Sequence, residues 1–404
     1  IGWAGLIFGV YAINFLWAPL IDRLHIPFLS KKIGQRKSWI LLMQIIIFFA
    51  LIFWSFLDPS KNLWLVISVG LTIAIASATQ DITIDALRIE QVEKHEGRSM
   101  AAGAAISVVG WWTGYKIGGV ISLVSANFFQ RQGVENYWQL SFILLTLIIF
   151  LCSLGLLFVP EKKSDLRQNL QSLEDKKLIN KLGEKNSFNR LIAWLFGTVA
   201  SPLISFFKTN TTKVALGILG FIFLFKIGEA FLGRMSIIFY SEVGFSKADI
   251  ALYSKGIGWI TTVTFTLLGG LFAIRMGLLK AMFVSGVIMA LTNLMFSVLA
   301  WVGSSEVLFA FTVLLDDLAA AFATVAFVAF ISALVDRTYT ATQYALLASI
   351  GTAGRTLFAS SSGALVDWLN GDWGIFFIIT ALMVLPSLLC LFLIRNKLKL
   401  KFND

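Results

Sequence analysis

Charged side chains lie inside the long apolar runs of this 404-residue chain. An ionised group there is costly and is read first as functional. In Thr79-Gln80-Asp81-Ile82-Thr83-Ile84-Asp85, the two acids stand four residues apart. On a helix they share one face, with Gln80 close by. Two ionised carboxylates at that spacing repel, and a proton on one of them relieves the repulsion; taking up and releasing that proton is the chemistry of a proton-coupled carrier. The plainer alternative pairs Asp85 with Arg88. Further on, Lys226 and Glu229 sit three residues apart. They either neutralise each other or turn a polar face to a solvated cavity. Lys116, Lys255, the neighbours Asp316 and Asp317, and Arg355 complete the set. Arg355 follows Gly351 and Gly354, and its fork suits a carboxylate or phosphate-like group. An ion pair with Asp316 or Asp317 is equally open, and those two cannot both face inward from one helix.

The sequence offers no set for covalent or metal chemistry. His25 and His95 lie outside the apolar runs, Cys152 and Cys390 lie within them, and no zinc-ligand spacing occurs. No Ser/His/Asp constellation is visible. No catalytic residues, no metal, no cofactor and no enzymatic activity are expected.

The elements that must position these charges are membrane helices. Hydrophobic residues make up 57% of the chain and charged ones 14%, too few to cover a soluble protein of this length. Runs of about 20 apolar residues cross a bilayer as helices, and their lack of alternation excludes a barrel. Eleven spans are predicted, at 3–20, 39–57, 63–87, 99–126, 137–159, 213–240, 249–274, 279–302, 306–335, 341–368 and 374–394. Twenty-five of the 33 Lys and Arg residues fall in segments on one side of this layout and three on the other. That asymmetry makes the basic side cytoplasmic and accounts for the net charge of +10 without nucleic acid. The first span then runs inward from residue 1, so the sequence is expected to lack one helix that would complete a set of twelve.

Residues 160–212 are expected to form a cytoplasmic linker. Within it, 188–207 is apolar, but a crossing there would invert every later loop. An interfacial helix broken before Pro202 is expected instead. The predicted division is an amino-terminal half over 1–159, the linker, a carboxy-terminal half over 213–395, and a basic cytoplasmic tail over 396–404. Gly110, Gly114 and Gly118 recur every four residues, a stripe expected to let helices pack closely. Asp22-Arg23 and, after an insertion, Gly34-Gln35-Arg36-Lys37 stand between the first two spans. An acid beside bases and helix ends can latch one conformational state.

That loop resembles the G-x-x-x-D-R-x-G-R-R signature of the major facilitator superfamily, whose 6 + 6 helical bundle matches the restored span count. The likeness narrows at Phe15-Leu16-Trp17-Ala18-Pro19-Leu20-Ile21-Asp22-Arg23, Ser77-Ala78-Thr79-Gln80-Asp81-Ile82-Thr83-Ile84-Asp85-Ala86 and Gly103-Ala104-Ala105-Ile106-Ser107-Val108. It continues in Lys226-Ile227-Gly228-Glu229-Ala230-Phe231, in Thr340-Ala341-Thr342-Gln343-Tyr344-Ala345-Leu346-Leu347 and in Gly354-Arg355. These stretches resemble AmpG-type muropeptide permeases, a branch that also holds acetyl-CoA transporters. The resemblance implies proton-driven import of anhydro-muropeptides (GlcNAc-anhydroMurNAc-peptides) across a bacterial inner membrane, for peptidoglycan recycling.

On that reading Asp81 and Asp85 couple protons. Gln80, Lys116, Lys226, Glu229, Lys255, Asp316, Gln343 and Arg355 meet the solute, and Asp22, Arg23, Arg36 and Lys37 form the latch. The partners are a small molecule and the bilayer, and a monomer is expected. The sequence departs from the family at Trp112, where members carry a basic residue, and at Asp316-Asp317, where they carry an acid and an amide. The alternative within the class is a carrier of acetyl-CoA or another anionic metabolite. A membrane enzyme and a non-transporting sensor are the remaining alternatives.

Overall fold

A computed structural model describes residues 6–58, 61–93, 96–161, 169–173, 176, 187–246, 249–250 and 258–402. Among these residues the fold is helical and contains no strand. The chain opens with α1 (Leu6–Ile13), a 3₁₀ turn (Asn14–Leu16) and α2 (Ala18–Arg23), then α3 (Leu29–Ile33). The long helices α4 (Gln35–Ser55), α5 (Leu63–Gln91), α6 (Gly97–Arg131) and α7 (Tyr137–Leu156) follow. After the linker come α8 (Ser187–Asn210), α9 (Thr212–Leu224), α10 (Ile227–Val243), α11 (Gly258–Met276), α12 (Leu278–Val302) and α13 (Glu306–Leu334). The chain ends with α14 (Thr340–Ala359), α15 (Ser362–Trp368), α16 (Trp373–Leu382) and α17 (Leu385–Phe402). Among the described residues, eight helical segments are long and apolar enough to cross a membrane: Gln35–Ser55, Leu63–Gln91, Tyr137–Leu156, Thr212–Val243, Trp259–Met276, Leu278–Val302, Glu306–Leu334 and Trp373–Lys399. Large apolar side chains such as Phe49, Leu151, Leu291 and Leu393 stand exposed along them, as a lipid-facing surface requires.

The chain forms two compact units. The first comprises residues 1–91, 114–209 and 335–349, the second residues 92–113, 210–334 and 350–404. In the first, α4 packs on α5 and α7, and α1 packs on α5. In the second, α12 packs on α13 and α16, α11 on α13, and α9 on α17. The core of the second unit is aromatic. Phe239, Tyr240, Phe296, Phe309, Trp373, Phe376 and Phe377 are buried together, with Phe239 and Phe377 edge to face at 4.8 Å between centroids.

Two expectations change at this level. Pro202 lies inside α8, which runs unbroken across it. One proline removes one helical hydrogen bond, and tertiary bonds hold this helix at the proline and one turn on: Gln343 donates to the Pro202 carbonyl and Ser205 to Asp336. The Gly110, Gly114 and Gly118 stripe is open, because a Cβ at any of them would meet no atom within 4 Å among the described residues. Close approach occurs at other glycines. A Cβ on Gly228 would lie 2.4 Å from the Thr380 carbonyl oxygen, and one on Gly354 would lie 2.0 Å from that of Phe223. α17 runs on to Phe402, which is buried against Phe330.

Candidate functional site

In the first unit the Asp22-Arg23 and Gly34-Gln35-Arg36-Lys37 segments build one buried charge cluster. Arg36 has no exposed surface and Asp22 has 1%. Arg36 Nη2 donates to Asp22 Oδ1 at 2.6 Å and to Glu90 Oε1 at 2.7 Å, and Nη1 donates to the Ile21 carbonyl at 3.1 Å. A planar fork reaches three acceptors in this way, and an ammonium cannot. Asp22 also accepts from the amides of Ala341 (3.2 Å) and Thr342 (2.8 Å) and from the Thr342 hydroxyl (2.6 Å). Those amides belong to the first turn of α14, where the helix has free N–H groups and a positive dipole end. Gln35 donates to the carbonyls of Ile21 and Asp22, closing the α2 end on the start of α4. Arg23 follows on the same turn of α2, half-buried.

Neighbours that sequence reasoning missed complete the cluster. Glu161 places one oxygen on the Arg36 amide (2.9 Å) and the other on the Lys37 amide (3.0 Å), so a residue of the coil beyond α7 caps α4. Gly34 makes room for it, at φ +100° with its absent Cβ where that carboxylate sits. Lys37 Nζ donates to the Leu157 carbonyl at 3.1 Å. Gln171 donates to the Thr338 carbonyl at 3.0 Å, bringing the linker onto the segment before α14. Arg337 donates to the Ile89 carbonyl. Burial pushes this arginine below its ordinary value, the nearby Glu90 holds it up, and Arg88 adds to the lowering. Pro160-Glu161 offered the one sequence signal, an acid closing an apolar run.

Still in the first unit, α5 separates its two acids. Asp85 is buried, and Arg88 Nη2 donates to its Oδ1 at 2.8 Å. Tyr344 faces the same pair. Asp81 is exposed, one turn earlier. Gln80 keeps its Oε1 buried without a hydrogen-bond partner among the described residues. Lys116 on α6 is partly buried. Gln343 differs from its predicted role. It is 2% exposed; its Oε1 accepts from the Asp336 amide (2.7 Å) and its Nε2 donates to Pro202 (2.9 Å). Both ends of this buried amide are engaged by the fold. A cavity of about 300 Å³ in this unit is walled by Trp17, Trp39, Met43, Ile46, Ile75 and Thr79, among others, and no predicted site residue lines it.

In the second unit the polar set gathers where the 212–243 span is interrupted. α9 ends at Leu224 and α10 begins at Ile227, so Lys226 sits in the unwound joint. Its Nζ lies 3.0 Å from Glu229 Oε2 and donates to Thr324 Oγ1 on α13 at 2.7 Å. Asp316, partly buried on α13, accepts from Thr292 Oγ1 on α12 at 3.2 Å. Glu229, Asp317 and Lys226 all face Asp316. Asp317 is exposed, as one-in, one-out neighbours require. Arg355 is exposed on α14 and makes no ion pair among the described residues, so pairing with Asp316 or Asp317 is not its arrangement here. The approach of α14 to Phe223 at Gly354 fixes where it projects. Lys255 lies outside the described residues.

Comparison with known proteins agrees with this architecture. The Major Facilitator Superfamily model matches residues 1–254. The chain is 30% identical over 387 residues to the putative transporter AmpG 4 of Rickettsia felis, covering 96% of this chain and 86% of that one. It is 28% identical over 407 residues to the anhydromuropeptide permease of Escherichia coli strain K12, covering 74% of that protein. Among solved structures, FucP in its outward conformation matches with a TM-score of 0.65 at 14% identity, over 97% of this chain and 89% of that one. The proton:xylose symporter XylE matches at 0.62 and 14%, over 95% and 84%. The fold and these relatives identify the chain as a multi-pass membrane transporter of the major facilitator superfamily, in its AmpG family.

Proposed function

We propose that the chain imports anhydro-muropeptides by proton-coupled secondary transport across a bacterial inner membrane. The observation that carries the transport reading is the interrupted 212–243 span, with Lys226 in the joint at mid-span and Glu229 paired with it from the first turn of α10. Helices broken at that depth form the solute sites of many secondary transporters. The solute class is inferred from the E. coli relative, an anhydromuropeptide permease. Gln80, Lys116, Lys226, Glu229 and Arg355 are assigned to the solute, Arg355 to a carboxylate on it. Asp81 is the preferred proton carrier, since Asp85 is closed with Arg88. Asp22, Arg23, Arg36 and Lys37 act as the latch, whose release costs the α14 amides their anion. The basic loops, the linker and the carboxy terminus lie on the cytoplasmic side, with helical halves over 1–159 and 213–395, and the chain works as a monomer.

The test is uptake of radiolabelled anhydro-muropeptide by proteoliposomes. The expected result is accumulation under an inward proton gradient, abolished by a protonophore and by Asp81→Asn. Undiminished accumulation in the Asp81→Asn, Asp85→Asn double variant removes the proton assignment. Absence of any muropeptide flux in the wild type removes the solute.

A second reading is favoured by one observation, the exposed fork of Arg355, which makes no ion pair among the described residues. It suits any anionic metabolite, acetyl-CoA included. Competition by that nucleotide, without competition by muropeptide, selects it.

A further inference from the structure

The cavity of about 300 Å³ in the first unit is lined from the α2 region, α4 and α5, and its polar side chains are two tryptophans and two threonines. All four are engaged elsewhere. Trp17 Nε1 donates to Thr79 Oγ1 at 3.0 Å and Trp39 Nε1 to the Leu24 carbonyl at 2.9 Å. The Thr79 hydroxyl donates to the Ile75 carbonyl at 2.7 Å, and that of Thr72 to the Ser68 carbonyl at 3.0 Å. No side-chain donor is left to face the space, so it suits hydrocarbon and not water. Its walls are also pinned. Besides the indole bonds, the carbonyl of Ile21 accepts from Gln35 at 3.0 Å and from Arg36 at 3.1 Å. Walls held in this way do not close over the gap, and an empty gap forfeits dispersion contacts along its whole lining.

Leu20, Thr72 and Ile75 belong to the lining and are also exposed, so the cavity opens at the surface of this unit. α4 and α5 are both long and apolar enough to cross a membrane. An opening framed by leucine and isoleucine on such helices meets lipid tails at far lower cost than water. At one end the cavity adjoins the insertion that separates Asp22-Arg23 from Gly34-Gln35-Arg36-Lys37. Trp39 reaches it through the Leu24 carbonyl, and α3 folds onto the first turn of α4, where the Ser30 and Ser38 hydroxyls lie 2.8 Å apart. Lys31 and Lys32 on α3 are exposed. Phe28, just before α3, is 86% exposed and sits at φ +62°, a conformation that bulky residues rarely adopt. An outward aromatic ring beside two lysines at the end of a span is the make-up of a membrane–water interface.

We propose that the cavity and α3 together bind one anionic phospholipid. An acyl chain fills the space between Trp17 and Trp39, the phosphate rests on Lys31 and Lys32, and Phe28 enters the headgroup layer beside it. Dry lining and positive charge meet at Trp39 as tail and headgroup meet in the lipid. The site shares no residue with the groups assigned to solute or proton. It requires only that α4 and α5 cross a membrane, so it stands or falls apart from the solute reading.

The experiment uses the full chain in phosphatidylcholine nanodiscs doped with phosphatidylglycerol that carries a photoactivatable diazirine on one acyl chain. After illumination, adducts are mapped by peptide mass spectrometry. The expected result is adducts concentrated on Trp39, Met43 and Ile46. Labelling no heavier there than on the exposed Phe49 and Leu151 overturns the proposal. Ile75→Trp places a ring in the opening and should cut the cavity adducts severalfold; undiminished adducts are equally fatal. Headgroup choice is read by native mass spectrometry of the protein released from mixed bilayers. Wild type should retain phosphatidylglycerol over phosphatidylcholine, and the preference should fall about fivefold for each lysine lost in Lys31→Gln, Lys32→Gln. Equal retention of the two lipids by wild type, or an unchanged preference in the double variant, overturns the anionic assignment. Should Ile75→Trp not fold, the lysine variant, altered only at exposed positions, carries the test alone.

Discussion

The two polar clusters use the same residue types and solve opposite problems. Around Arg36 every charge is answered: Asp22 takes a guanidinium and the first turn of α14, Glu90 takes the same guanidinium, and Glu161 takes the first turn of α4. Around Lys226 the helix is interrupted, and the hydroxyls of Ser297 and Thr312 have no hydrogen-bond partner among the described residues. A satisfied buried network fixes geometry, because breaking it leaves stranded charge. An unsatisfied one at mid-span is kept for a ligand or a proton. The difference separates holding from handling, and it can be broken by single substitutions.

The largest effect is expected at Arg36. Arg36→Ala strands Asp22 and Glu90 in a buried site, and losing one partner of such a set costs about 3–5 kcal/mol. Thermal unfolding in detergent should show it, with Arg36→Lys recovering only part because it lacks the fork. An Arg36→Ala protein melting like wild type would erase the contrast. Next is Thr342→Val, which removes the 2.6 Å hydroxyl bond to Asp22 and leaves both α14 amides in place. A hydrogen bond to a charged group is worth about 1.5–3 kcal/mol. If the cluster acts as a latch, the same variant should also raise the accessibility of an engineered cysteine at Ala341 to a water-soluble maleimide. Ser205→Ala, which releases α8 from Asp336 Oδ2, should cost about 1 kcal/mol, because Asp336 keeps the Thr338 amide on its other oxygen.

Much of this contrast was legible in the sequence, and the missing part is instructive. The Asp81/Asp85, Lys226/Glu229 and Asp22/Arg36 pairings follow from helical spacing or from a local motif, and each appears in the structure as a real neighbourhood. Spacing could not decide between open and closed arrangements. Asp85 and Arg88 close, Asp81 stays open, and Gln343 engages the Asp336 amide and the distant Pro202 carbonyl. Partners such as Glu90, Glu161, Thr292 and Thr324 come from other segments of the chain, and no periodicity reports on how those segments pack. The Gly110–Gly118 stripe shows the converse: a motif for close packing needs an opposing surface, and none of the described residues supplies one.

The smallest effect on stability is expected at Glu229, and it is the sharpest test. Glu229→Gln loses the ion pair with Lys226 but keeps the side chain's shape and an oxygen that Lys226 can still donate to. It also removes one of the negative charges facing Asp316, so lost attraction and relieved repulsion offset each other. The net change should be under about 1 kcal/mol, within the range of an ordinary surface substitution. Transport should nevertheless fail. A protein that melts like wild type and moves no solute would place Glu229 in handling; one that unfolds as Arg36→Ala does would make the Lys226 joint a second holding cluster.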